Sequence, residues 1–272
     1  MGRPKTYQIN EDYFDSITTE RGAYLLGLIM SDGHLNYDRG RFEYCCSTKD
    51  VSLIEFIRGE IKSTHPIKKF VINNTIYVRY GVSNIRLVRS IIDRYFLPHS
   101  NKSENNIDIP HQLSEKLIPH FLRGFFDGDG SIWFGGGTYR ANYTGGEKMM
   151  KSIQSVLDKI GVPSYFSYRY SEKNKNSCGI SINGTLNVDR LGRYLYKDAD
   201  CFLDRKYRRF MECNTRAKYV NIRSFSLSGN EEKTKVLYLG GLSQAEIARK
   251  LELVPSSVRC CIQRLRRQNQ II

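Results

Sequence analysis

Two short segments of this 272-residue chain share one pattern. LLGLIMSDG (residues 25–33) and LRGFFDGDG (residues 122–130) each run apolar, then place a small residue, an Asp and a Gly at the same offsets. Gly27 and Ser31 are four residues apart, as are Gly124 and Gly128. On a helix, residues at that spacing share one face. Small residues there let two backbones approach closely. The pattern therefore predicts two helices, distant in sequence, packed on each other through Gly27, Ser31, Gly124 and Gly128. Asp32 and Asp129 then lie side by side at matching helix ends. Gly33 and Gly130 are expected in the left-handed conformation that commonly ends a helix.

Such an arrangement is electrostatically unfavourable. The C-terminal end of a helix is its negative end, and two carboxylates there repel each other as well. A cation must offset them, or one must stay protonated. A divalent ion with oxygen ligands is the natural answer, and Mg²⁺ needs few carboxylates because it keeps several waters. Metal ions clamping an attacking water and a leaving oxygen make a phosphodiester hydrolase.

Apolar spacings extend the duplication. Ile54, Ile57 and Ile61 correspond to Ile153, Val156 and Ile160, and Val88, Ile91 and Tyr95 to Val188, Leu191 and Leu195. Residues 16–110 and 111–218 are thus expected to be two copies of one unit, after a tail at 1–15. Each reads helix, strands, helix, strands, helix. Asn73-Asn74 in KKFVINNTIYVRYGVS marks a tight hairpin turn, and SEKNKNS is the matching polar turn in the second copy. Alternation puts Arg39, Arg41 and Glu43 on one strand face and Phe42 and Tyr44 on the other. It likewise separates Arg140 and Asn142 from Tyr139 and Tyr143. Trp133 and Phe134 are expected in the core.

Lys and Arg total 42 against 28 Asp and Glu, a net charge of +14, which points to a phosphate polyanion as partner. The seven cysteines fit neither a disulfide framework nor a zinc spacing, and the N-terminus lacks the apolar segment of a signal peptide. An intracellular protein without a membrane span is expected.

The segment 219–230 is polar and reads as a linker. Residues 231–272 then read as a helix-turn-helix module. It comprises a first helix at 231–239, a capping box in Ser243 and Glu246, and a last helix opened by Pro255. Ile247, Ala248, Leu251, Val258, Ile262 and Leu265 would face inward, and Arg259, Arg264, Arg266 and Arg267 outward.

The paired segments LLGLIMSDG and LRGFFDGDG resemble the double motif of LAGLIDADG homing endonucleases. That resemblance implies an α+β fold, with two pseudosymmetric αββαββα repeats forming a DNA-binding saddle, here followed by the small all-α helix-turn-helix domain. It implies that Asp32 and Asp129 hold the metal, with Ser31 and Gly128 beside them, and that Mg²⁺, or Mn²⁺, is the cofactor. A catalytic lysine near each centre, orienting the water or stabilising the charge developing on phosphorus, is implied as well, and Lys102 and Lys206 match it. The implied activity is site-specific double-strand DNA cleavage by a monomer acting in intron homing, on a long asymmetric target. Arg39, Arg41, Arg79, Arg140 and Arg169 are candidate readers on the sheets, with Arg259 and Arg264 on the terminal module. Two other roles stay open: a regulator that binds DNA without cutting, and an RNA-splicing maturase. A regulator would be indifferent to Asp129→Asn, and a maturase would prefer structured RNA.

Overall fold

The computed structural model describes residues 6–95, 97, 107–171, 174–253, 255–268 and 270–271; of residues 169–171, 174–176, 219–229 and 256 only the backbone is described. The first repeat contains α1 (Glu20–Asp32), β1 (His34–Asn36), β2 (Arg41–Ser47), α2 (Val51–Glu60), β3 (Ile67–Ile72), β4 (Thr75–Ser83) and α3 (Ile85–Tyr95). The second contains α4 (Ile118–Asp129), β5 (Ser131–Gly135), β6 (Thr138–Gly146), α5 (Glu147–Lys159), β7 (Tyr165–Ser171), β8 (Asn174–Asn183) and α6 (Thr185–Tyr196). Each is αββαββα. Their antiparallel sheets have equivalent orders, β1-β2-β4-β3 and β5-β6-β8-β7. The protein is α+β.

Register explains which face is covered. Phe42, Tyr44, Val78, Tyr80 and Val82 are buried, as are Tyr139, Ala141, Tyr143, Ile180 and Ile182 on the second sheet. These alternate positions pack with α1 to α6 into one core. The opposite face of each sheet stays open, which an antiparallel sheet tolerates. At the β3–β4 hairpin, Asn73 and Asn74 have φ of 47° and 59°, the positive values a two-residue turn requires. In the second hairpin, Glu172 and Lys173 lie outside the described residues.

Several expectations are corrected. The N-terminal stretch is not simply a tail. Asn10 N–H donates to Ile61 O, Thr64 N–H donates to Gln8 O, and Phe14 is buried in the core. Its aromatic and aliphatic residues supply apolar surface that outweighs the cost of ordering the backbone. Trp133 and Phe134 are 40% and 42% exposed rather than in the core. Their strand, β5, is a short edge strand, so neighbours cover it on one side only. Arg39 lies in the turn before β2, where its N–H donates to Asn36 Oδ1.

Compact units are formed by residues 1–214 and 215–272. The stretch 219–230 is helical, within α7 (Asp204–Leu239), and not an irregular linker. It holds no Pro and one Gly, and polarity alone does not oppose a helix. In the second unit, α8 (Gln244–Lys250) opens with the Ser243–Glu246 capping box, and α9 is Pro255–Arg267. Ile247, Ala248, Val258, Cys261, Ile262 and Leu265 form its core. No helix among the described residues is long and apolar enough to cross a membrane.

Candidate active site

α1 and α4 touch backbone to backbone. A Cβ placed on Gly27 would lie 2.2 Å from Phe121 O, and one on Gly124 would lie 2.0 Å from Tyr24 O. No side chain larger than hydrogen fits either position without separating the helices. Gly124→Ala is therefore expected to lower the unfolding free energy by about 2–3 kcal/mol. Gly59→Ala, on an exposed part of α2 with nothing within 4 Å of the added Cβ, should be neutral or gain up to about 1 kcal/mol. Equal urea midpoints for the two variants would refute this account of the helix contact.

One turn further, a Cβ on Gly128 would meet Ser31 Oγ at 1.9 Å and Asp32 Oδ2 at 3.2 Å. Ser31 Oγ donates to Leu28 O at 3.0 Å. The four small residues thus bring the Asp32 carboxylate alongside residue 128, immediately before Asp129. Asp32 is exposed and Asp129 half-buried, so both carboxylates are reachable from solvent. The buried Tyr44 hydroxyl lies 3.5 Å from Asp32 Oδ2. Burial first, and the Asp32 carboxylate next, push its pKa well above the phenol range, so it stays a neutral donor.

Gly33 and Gly130 are not left-handed. Their φ values are −67° and −90°, both in extended backbone. Glycine is needed there for space. A Cβ would fall 2.7 Å from Ile29 O at Gly33 and 2.3 Å from Phe126 Cδ2 at Gly130. The chain leaves each helix tightly folded back on its last turn.

Lys206, at the start of α7, places a cation at the C-terminal end of α4. It is 3% exposed. Its Nζ donates to Phe126 O (2.6 Å), Asp127 O (2.8 Å), Gly128 O (3.2 Å) and Gly130 O (2.6 Å). A single ammonium satisfies the carbonyls closing α4 and the glycine beyond, and sits where the helix dipole is negative. Burial lowers its pKa to about 8, while Asp127, Asp32 and Asp50 resist the fall. Lys102 lies outside the described residues.

Asp127 is a central residue that sequence reasoning passed over. It is fully buried, accepting from Tyr24 Oη at 2.7 Å, Leu203 N–H at 2.7 Å and Tyr196 Oη at 3.3 Å. Burial raises its pKa to about 6, against the pull of Lys206 and these donors. On the same helix Arg123 is also buried, donating to Cys201 O and Leu195 O. The detectable signal was an Arg and an Asp four apart inside an otherwise apolar helix. The equivalent of Asp127 in the first repeat is the buried Met30, so this network belongs to the second repeat alone. Asp127→Asn keeps the shape and most hydrogen bonds but leaves Lys206 without a nearby buried anion. It should cost about 1–3 kcal/mol in urea unfolding; no loss would mean the charge is irrelevant to the network.

The candidate readers occupy the open sheet faces in part. Arg41 and Arg79 lie on the first, and Arg140 is exposed on the second. Arg169 is on β7, but only its backbone is described. In the second unit Arg259, Arg264, Arg266 and Arg267 are all exposed. Arg264 pairs with Glu231 at 3.1 Å, so part of its charge is neutralised locally. Among the described residues, no three or more His, Cys, Asp or Glu are grouped as an ion cage.

Residues 117–196 match the LAGLIDADG-like domain family. No curated protein matches the chain. Among solved structures, the I-SmaMI LAGLIDADG homing endonuclease bound to cleaved DNA is 13% identical, with a TM-score of 0.52. That match covers 77% of this chain and 92% of that one. The same enzyme on an uncleaved target with calcium ions gives 13% identity, a TM-score of 0.50, and coverages of 74% and 92%. The likeness is one of fold.

Proposed function

We propose that this chain, which carries a LAGLIDADG-like domain and folds like the single-chain LAGLIDADG homing endonucleases, is a divalent-metal-dependent, site-specific double-strand DNA endonuclease. One observation supports the reading above others. The glycine contact between α1 and α4 brings Asp32 and Asp129, from separate repeats, to adjacent helix ends open to solvent. Two accessible carboxylates suit Mg²⁺, or Mn²⁺, which retains water and takes phosphate oxygens. Asp32 and Asp129 would hold the ions, with Ser31 and Gly128 beside them. Bound there, a divalent ion supplies charge neutralisation at the phosphodiester and a more acidic water.

The chain's own groups prepare that site. Lys206 closes the end of α4 and keeps Asp129 from shifting with a fraying helix end. Tyr44 faces Asp32 as a neutral donor. Water attacks the phosphodiester directly, without a covalent intermediate, and two centres cut opposite strands. The two basic sheet faces lie along duplex DNA, as the chain's +14 charge favours. The two repeats differ in sequence, so a single chain matches an asymmetric target. The terminal module, with Arg259 and Arg264, adds DNA contacts of its own.

A randomised duplex pool incubated with the protein in Mg²⁺, with end sequencing, tests the activity. Recurrent staggered ends at one motif, absent with EDTA, are expected. Binding is measured in Ca²⁺, the ion present with I-SmaMI on its uncleaved target. Enriched binding without ends in Mg²⁺ or Mn²⁺ would leave a DNA-binding protein that does not cut.

A further inference from the structure

Lys206 has no donor left to offer a substrate. Its side chain is buried, and the carbonyls of Phe126, Asp127, Gly128 and Gly130 outnumber the N–H groups of one ammonium. The residue before it is placed differently. We infer that Arg205, presented by Asp50 of the first repeat, is the cation that meets a DNA phosphate at the cleavage site. The inference rests on the endonuclease reading above.

Arg205, in the first turn of α7, is held by a carboxylate 155 residues away in the chain. Its Nε donates to Asp50 Oδ1 at 2.7 Å and its Nη2 to Asp50 Oδ2 at 2.9 Å. Asp50 is the N-cap residue of α2. An Asp there ordinarily accepts from the first turn of its own helix, but Asp50 makes no such bond. Its carboxylate is turned to the guanidinium instead. The corresponding helix of the second repeat, α5, has Gly146 at its N-cap, which offers no carboxylate.

The pair sits by the acidic residues of both repeats. Lys206 Nζ contacts the carbonyls on either side of Asp129, at Gly128 and Gly130, and Arg205 directly precedes it. Cys46 Sγ donates to Asp50 O at 3.4 Å. Two residues earlier on β2, the Tyr44 hydroxyl lies 3.5 Å from Asp32 Oδ2. Asp32 and Asp50 both act on the Lys206 ammonium.

Exposure then separates the partners. The Asp50 side chain is 14% exposed and that of Arg205 55%. Nη1 of Arg205 has no acceptor among the described residues. One edge of the guanidinium is fixed on Asp50. The other edge, Nη1 with the second Nη2 hydrogen, faces outward as a fork that fits two phosphate oxygens. Restraint before binding reduces the entropy lost on contact. Asp50 is thus a positioning residue that acts through Arg205. An ion pair with its cation this exposed adds little to stability, so removing Arg205 leaves the fold standing.

The test uses the full chain on its selected duplex. Arg205→Ala should slow single-turnover cleavage in Mg²⁺ about 10- to 100-fold, the range for a lost hydrogen bond to a charged group. Arg205→Lys, which keeps the charge but not the fork, should recover only part. Asp50→Asn should slow the wild type and add little to Arg205→Ala. Binding in Ca²⁺ locates the contact. A neutral methylphosphonate, walked through the site one phosphate at a time, should weaken wild-type binding about tenfold beside the cut. Arg205→Ala should be indifferent to that one substitution, which a purely structural role would not change. Arg205→Ala that cleaves within about twofold of wild type, or keeps full methylphosphonate sensitivity, overturns the assignment and leaves the endonuclease reading intact. An undiminished effect of Asp50→Asn in the Arg205→Ala background overturns the part given to Asp50. Failure of the wild type to cleave any duplex removes both readings.

Discussion

Asp32→Asn and Asp129→Asn are each expected to reduce DNA cleavage at least about 10³-fold, equivalent to roughly 4 kcal/mol of transition-state stabilisation, while binding in Ca²⁺ stays within about twofold. Asparagine keeps the shape of the carboxylate but not the charge that holds a divalent ion. Neither residue is needed to assemble the fold, because the helix contact is made by Gly27, Gly124 and Gly128. A second readout separates loss of chemistry from damage. The carboxylates sit at two negative helix ends, side by side, so neutralising one in metal-free buffer should raise stability by up to about 1 kcal/mol. Such a trade between stability and activity is common at functional sites. Cleavage above a tenth of the wild-type rate in both variants would remove these residues from the metal site. A fall in metal-free stability would make their role structural.

Lys206→Met should lower the unfolding free energy by about 3–5 kcal/mol. Methionine fills the space but donates nothing. It leaves the carbonyls of Phe126, Asp127, Gly128 and Gly130 without their shared donor, and Asp127 buried without its main counter-charge. The pH dependence follows from the two shifts. Asp127 has its pKa raised to about 6, so the stability it contributes is present below the ordinary carboxylate value and lost as pH rises through 6. Lys206 has its pKa lowered to about 8, so its contribution is present above the ordinary lysine value and lost as pH falls through 8. Between pH 6 and 8 both groups are charged in the folded protein, and their attraction offsets the cost of burying them. The difference between wild type and variant should therefore be smallest below pH 6, where Asp127 is protonated, and widen as pH rises through 6. It should widen further above 8, where wild-type Lys206 sheds the proton whose burial costs stability and methionine has none to shed. Urea unfolding in EDTA at pH 5, 7 and 9 measures it. A difference that does not vary with pH would show that lost hydrogen bonds, not charge, carry the effect.

Much of this protein is written locally. Helix periodicity, strand alternation and Asn73-Asn74 specify the duplicated αββαββα units, because each depends on residues a few positions apart. The small residues at 27, 31, 124 and 128 specify the helix contact, since only their absent or short side chains permit it. Asp32 and Asp129 follow from that contact as a pair.

Other features were decided only when distant segments met. Polarity at 219–230 suggested a break, but polarity reports exposure and not backbone state, and α7 continues through it. Gly33 and Gly130 were legible as helix terminators. Their extended conformation depends on the last turn of α1 and α4, where space and not φ demands glycine. Trp133 and Phe134 carry core chemistry in sequence, and only the order of strands placed them at an edge. The burial of Arg123, Asp127 and Lys206 is the clearest case. In sequence these are three ordinary charges, two on α4 and one in a basic run. Their shared environment exists because α6, α7 and α1 close over one helix end. The sequence by itself determined the repeat, the fold and the pair of carboxylates reachable from solvent. Tertiary structure alone decided which lysine answers the negative end of α4, because that choice depends on distances through space between segments far apart in the chain.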